Sequence, residues 1–67
     1  MSGRRLSTVI RKLRETKGLT QLELAKQAKV TQGYITMLDT GARKFPSLPV
    51  LRRLAKALGV LVTALLE

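Results

Sequence analysis

Two threonines eleven positions apart, Thr20 and Thr31, constrain this chain more than any other feature. Thr20 stands three residues before Glu23. Its hydroxyl can accept from the Glu23 amide while the Glu23 carboxylate reaches back to the Thr20 amide, the reciprocal pattern that opens a helix. Leu19 before the cap and Leu24 four positions after it add a hydrophobic staple. Thr31 repeats the arrangement with Val30 and Ile35 on either side. Leu24, Ala25 and Ala28 form a short apolar face, and only Lys29 and Val30 remain for a turn. The spacing predicts helices over residues 21–28 and 32–40, the second stopped by Gly41. Two short helices joined so tightly must cross at a steep angle.

The flanking segments are punctuated in the same way. Leu6, Val9, Ile10 and Leu13 recur at the spacing of one helical stripe, and Gly18 followed by Leu19 is a helix stop. These place a first helix over about residues 5–17, with the basic stretch 1–5 as an arm ahead of it. Ser47 is the candidate cap of a fourth helix, with Pro49 in its first turn, where a missing amide hydrogen costs little. Leu48, Leu51, Leu54, Ala55 and Leu58 line one side of it, and Gly59 closes it. A last short helix over 62–66 has no evident cap.

Composition supports a helical bundle. Leu, Ile and Val account for twenty of 67 residues, against one Phe and one Tyr. Strand-rich folds draw more heavily on β-branched and aromatic side chains. Residues 1–67 read as one domain, all-α and compact, with five helices. No apolar run approaches the length of a membrane span. No apolar segment follows the basic start, which argues against a secretory signal. With no Cys, the chain fits a reducing cytoplasm and excludes a disulfide framework. With no His either, it lacks the usual zinc ligands, general base and thiol nucleophile, and its four acids are scattered. Neither an enzyme nor a cofactor is expected.

The charge is lopsided: 13 Lys and Arg against 4 Asp and Glu, a net +9. Such self-repulsion usually serves an acidic partner, nucleic acid or an anionic membrane. The helix over 32–40 offers a candidate face for the first, although an ordinary exposed polar helix would look the same. With Ile35 and Leu38 turned inward, its opposite arc holds Gln32, Gly33, Thr36, Met37 and Thr40, with Tyr34 and Asp39 on the flanks. Gln pairs two-pronged with adenine, and Thr or Met contacts a thymine methyl. An uncharged ridge suits base edges; charged groups suit phosphates.

The run GLTQLELAKQAKVTQGYITMLDTGARKFPSLPVLRRLAKALGV resembles the Cro and phage-repressor type of helix-turn-helix regulator, the XRE family. The likeness covers about residues 6–66. It rests on GLTQ, the Leu24-Ala25 step, Val30-Thr31-Gln32, Asp39-Thr40-Gly41, Pro46-Ser47-Leu48 and LAKALGV. It implies a lambda-repressor-like fold and a small bacterial or phage transcription regulator of the repressor type, working on double-stranded DNA in the cytoplasm; whether it represses or activates depends on where its site lies relative to a promoter. By the same resemblance, Gln32, Gly33, Thr36 and Met37 would face bases. Gln21, Lys29, Tyr34, Thr40, Arg43 and Lys44 would hold phosphates, with Gln21 also buttressing Gln32. Arg14 would pair with Asp39, tying the first helix to the third.

The chain departs from the family pattern at three places. Lys29 stands where the family usually has glycine in the turn, and a side chain at positive φ costs about 1 kcal/mol. Gly33 stands where many relatives carry a reading side chain, which implies weaker sequence readout. Leu61 replaces a polar cap and leaves Leu61, Val62, Ala64, Leu65 and Leu66 nearly all apolar. A helix apolar on all sides needs cover on more than one. Phe45, Leu61 and Leu66 are therefore expected to form a homodimer interface. Pairing would set two recognition helices about 34 Å apart, one turn of DNA, and favour an inverted repeat. Three alternatives use much of the same evidence: an antitoxin or restriction-modification controller of this fold, a helix-turn-helix module that binds protein, and a membrane-active basic peptide. Gln21, Gln32, Arg43 and Lys44 argue against the second, and the ordered caps against the third.

Overall fold

The computed structural model describes residues 3–43 and 45–66, with side chains from residue 6 onward. They form five helices: α1 (Gly3–Thr16), α2 (Gln21–Ala28), α3 (Gln32–Thr40), α4 (Leu48–Leu58) and α5 (Val62–Leu66). No helix among the described residues is long and apolar enough to cross a membrane.

The caps explain the boundaries. Thr20 Oγ1 accepts from the Glu23 amide at 3.0 Å, and Glu23 Oε1 accepts from the Thr20 amide at 2.9 Å. That backbone hydrogen bond holds the Glu23 carboxyl below the usual carboxylate range. Thr31 Oγ1 accepts from the Tyr34 amide at 3.1 Å. Ser47 sits at the N-cap of α4 with Pro49 in the first turn, but its hydroxyl makes no cap bond. The Ser47 backbone carbonyl and the proline account for the helix start there.

Three helices end alike. After α1, α2 and α4, the amide of Leu19, Val30 or Val60 donates to the carbonyl of Arg14, Ala25 or Ala55, five residues back. The wrap needs a left-handed residue at the stop. Gly18 and Gly59 supply it twice; Lys29 supplies it at φ 59°, the one non-glycine with positive φ among the described residues.

Two expectations need correction. Helix α1 begins at Gly3, so residues 3–5 continue the helix instead of forming an arm; residues 1–2 lie outside the described residues. Arg4 and Arg5 are good helix formers, and nothing ahead of Leu6 breaks the stripe. Leu48 is half exposed at the start of α4 and does not join the apolar face of Leu51, Leu54, Ala55 and Leu58. At the first turn, its side chain precedes the packed part of the helix.

The core is aliphatic. Leu6, Ile10, Leu24, Ile35, Leu38, Leu54 and Leu65 are fully buried. Helix α2 packs between α3 and α4, α1 lies against α3, and α5 closes the bundle against α4 and α1. Ala25 and Ala28, also buried, let neighbouring backbones approach α2. Burying each large aliphatic side chain is worth about 1.5–3 kcal/mol. This core therefore holds the angle at which α3 leaves the body.

Candidate nucleic-acid interface

Helix α3 divides cleanly. Ile35, Leu38 and Asp39 are buried; Gln32, Gly33, Thr36, Met37 and Thr40 are exposed, and Tyr34 is half buried. Met37 is 41% exposed, a large apolar side chain left to solvent by a helix whose other apolar residues are covered. Gly33 lies in regular helix, and a methyl group added there would meet nothing closer than Thr31 Oγ1 at 4.0 Å. The glycine therefore has no packing duty inside the subunit. It leaves a notch in the outer face between Gln32 and the next turn.

Behind this face runs a polar chain anchored on Asp39. Arg14 Nη2 reaches Asp39 Oδ2 at 2.9 Å, with both side chains largely buried. Gln21 Nε2 donates to the same oxygen at 3.0 Å. Thr36 Oγ1 donates to Gln21 Oε1 at 2.6 Å and lies 3.1 Å from the Gln32 carbonyl. Arg14 Nη1 also holds the Leu19 carbonyl at 2.8 Å, and Arg11 Nη2 donates to the Asp39 carbonyl at 2.6 Å. One carboxylate therefore ties together α1, the start of α2 and the outer face of α3. Asp39 Oδ1 and Arg14 Nε are buried without a partner among the described residues.

The basic groups sit at the edges. Arg43 lies in the loop after α3, its guanidinium carbon 4.9 Å from the centre of the Tyr34 ring. That cation–π contact presents a positive charge beside the exposed ridge. The Arg43 amide donates to the Met37 carbonyl at 3.1 Å, which folds the loop back under α3. Thr40 Oγ1 lies 3.3 Å from the Met37 carbonyl and accepts from the Ala42 amide at 3.4 Å, so its hydroxyl serves the helix end. Lys44 lies outside the described residues. Gln21 opens α2, where unpaired backbone amides favour an anion.

The family model for the helix-turn-helix domain matches residues 5–67. The chain belongs to the helix-turn-helix family. Its type is that of the Cro and phage repressors. YqaF of Bacillus subtilis (strain 168), an uncharacterized HTH-type transcriptional regulator, is 42% identical over 50 residues, 75% of this chain. The match spans 64% of YqaF's own length. Among solved structures, SinR, the master regulator for biofilm formation of B. subtilis, in complex with DNA, superposes with a TM-score of 0.88 at 29% identity. That match covers 92% of this chain and 98% of SinR's. The restriction-modification controller protein C.AhdI of Aeromonas hydrophila gives a TM-score of 0.86 at 31% identity, covering 91% of each chain.

Within this helix-turn-helix frame, the structure gathers Gln21, Gln32, Gly33, Thr36 and Met37 at one face, with Tyr34 and Arg43 at its rim. It does not join Gln21 to Gln32. Both ends of the Gln21 amide are taken by Thr36 and Asp39, so the link to Gln32 runs through the Thr36 hydroxyl. Lys29 lies apart, on the turn beside α4, with Arg53 as a neighbour. Phe45, Leu61 and Leu66 are exposed at 48%, 78% and 45%. Sequence reasoning missed Arg11 as a tie to α3. Its spacing of three from Arg14 was the available signal, since residues three apart share a helix face.

Proposed function

We propose that this chain is a DNA-binding transcription regulator that lays α3 in the major groove of duplex DNA. One observation carries the reading. The outward side of α3 is uncharged, exposed and without a packing role, while a buried carboxylate braces it from behind. Gln32, at the first turn, reads a base edge. Met37 and the Thr36 methyl touch thymine methyls, and the notch at Gly33 admits a base pair close to the backbone. Gln21, Tyr34, Arg43 and Lys44 grip the strands on either side, and the net charge of +9 supplies the attraction.

A single ridge reads too few base pairs to single out one site in a genome. Phe45, Leu61 and Leu66 therefore pair two copies on an inverted repeat, and the complex represses by occupying its site. The fold is shared by a restriction-modification controller, so control of such a gene set is a second reading with the same DNA chemistry.

Selection of bound sites from randomised duplex DNA at a stated salt concentration tests the reading. An inverted repeat with half-sites one helical turn apart is expected. The Gln32→Ala chain should relax preference at one position of each half-site, a loss of about 1–3 kcal/mol in discrimination. A selected pool with no shared sequence, or identical pools from the two chains, would contradict it.

A further inference from the structure

A second basic feature lies away from the ridge. Gln27, Lys29, Arg53, Lys56 and Ala57 line an open recess of about 360 Å³ between the end of α2 and the C-terminal half of α4. Three cations and an amide border it, and no acid does. The described acids are engaged or placed elsewhere: Glu23 closes its capping box, Asp39 is buried against Arg14, and Glu15 sits on α1.

Cations at a helix C-terminus ordinarily neutralise its dipole, and Lys56 does stand in the last turn of α4, but here three cations from two helix ends meet at one recess. Arg53 Nε donates to the Ala28 carbonyl at 2.8 Å. The carbonyls of Ala25 and Lys26 are already taken by the amides of Val30 and Lys29. Among the described residues, neither the Lys29 nor the Lys56 side chain makes a hydrogen bond to these carbonyls. The Arg53 hydrogen bond also fixes its guanidinium and leaves both terminal nitrogens without a partner among the described residues. Lys29, which lines the recess, stands in the left-handed conformation that glycine fills at the equivalent stops of α1 and α4. Three like charges held together with no acid beside them leave the recess electropositive, which suits an anion.

We infer that this recess is a phosphate-binding site. Arg53 supplies two fixed donors suited to a tetrahedral anion, Lys29 and Lys56 supply charge, and the Gln27 amide completes the rim. The volume accommodates a phosphate together with the group that carries it. The phosphate comes either from a DNA strand passing the turn or from a free phosphate ester. Only the first source rests on the function proposed above.

Amide chemical shifts of the whole chain, followed during titration with inorganic phosphate, a 5′-nucleotide and duplexes of two lengths, test the site. Saturable shifts at Gln27, Lys29 and Arg53 are expected, and a Lys29→Gly, Lys56→Gln chain should lose them at least tenfold in affinity. That chain keeps the fold, because glycine suits the left-handed turn and Lys56 is exposed; an unchanged thermal transition checks it. Saturation only by the longer duplex assigns the phosphate to the DNA strand, and the salt slope should then fall by about two in the variant. Saturation by the nucleotide assigns it to a free ester. No saturable shift at the recess with any probe overturns the inference, as does a recess that answers to polyglutamate and not to phosphate. Shifts confined to residues 32–37 on duplex addition would uphold the proposed function and sink this site alone. Shifts at the recess with none at 32–37 would do the reverse.

Discussion

Thr36 donates its hydroxyl hydrogen to Gln21 Oε1 at 2.6 Å, while Asp39 Oδ2, which can only accept, takes the Gln21 nitrogen at 3.0 Å and so fixes which way the amide faces. A flipped amide would set its oxygen against the Asp39 carboxylate and lose that bond. The side chain at the start of α2 is thereby set before any ligand arrives. Preset groups lose less freedom on binding than mobile ones. The pair lies at the joint between the two helices that define the family, and it couples the ridge to the start of α2.

Replacing Thr36 with Val keeps the shape and removes the hydroxyl. The bond is exposed, so stability should fall by no more than about 0.5–1.5 kcal/mol. DNA affinity should fall several-fold on every sequence, because Gln21 loses one of its two anchors. Denaturant unfolding and fluorescence anisotropy measure the two effects. Affinity equal to that of the unaltered chain would show that the hydroxyl positions nothing.

Asp39→Asn tests the brace. Arg14 and Gln21 both converge on Oδ2, and the aspartate is 4% exposed. Removing one partner of a buried ion pair leaves the other charge uncompensated and costs about 3–5 kcal/mol. For a chain of this size that is much of the total stability. The midpoint of urea unfolding should drop sharply, and a double-mutant cycle with Arg14→Met should recover part of the loss. Additive single effects would show that the two side chains do not act as a pair.

Arg43→Ala removes the cation over Tyr34. Binding should weaken on specific and unrelated duplexes alike, and the slope of log affinity against log salt should flatten by about one per subunit. A loss confined to the preferred site would assign Arg43 to base reading instead.

Leu61 is 78% exposed, the most exposed large apolar side chain among the described residues. Leu61→Ser should leave the folded monomer unharmed and shift sedimentation at tens of micromolar from dimer to monomer. Cooperative binding to an inverted repeat should weaken with it. An unaltered chain that sediments as a monomer at that concentration, without DNA, would remove the basis for a preformed pair.

Much of the architecture was legible in the chain. The bounds of α2 and α3 follow from the spacing of caps, stripes and stops, because a helix end is a local event that needs a particular residue within a few positions. The face of α3 was legible for a related reason: once Ile35 and Leu38 point inward, the period of 3.6 residues fixes what points out. The start of α1 was less so, since nothing in the sequence marks its first residue and good helix formers simply extend the turn. The cap at Ser47 was overread. A serine ahead of a helix is a candidate, and only the local geometry decides whether its hydroxyl turns to the amides.

The amino-acid order alone determined the number of helices, the tight turn at Lys29, the polar ridge and the excess of positive charge. These depend on periodicity, capping chemistry and composition, all carried within a few residues of one another. The tertiary structure decided that Gln21 is held by Thr36 and Asp39 instead of by Gln32, that Arg11 joins Arg14 at α3, and that Lys29 meets Arg53 and Lys56 across a recess. Those contacts join residues 15 to 28 positions apart. They depend on helix crossing angles, which the packed aliphatic core sets and no local pattern specifies.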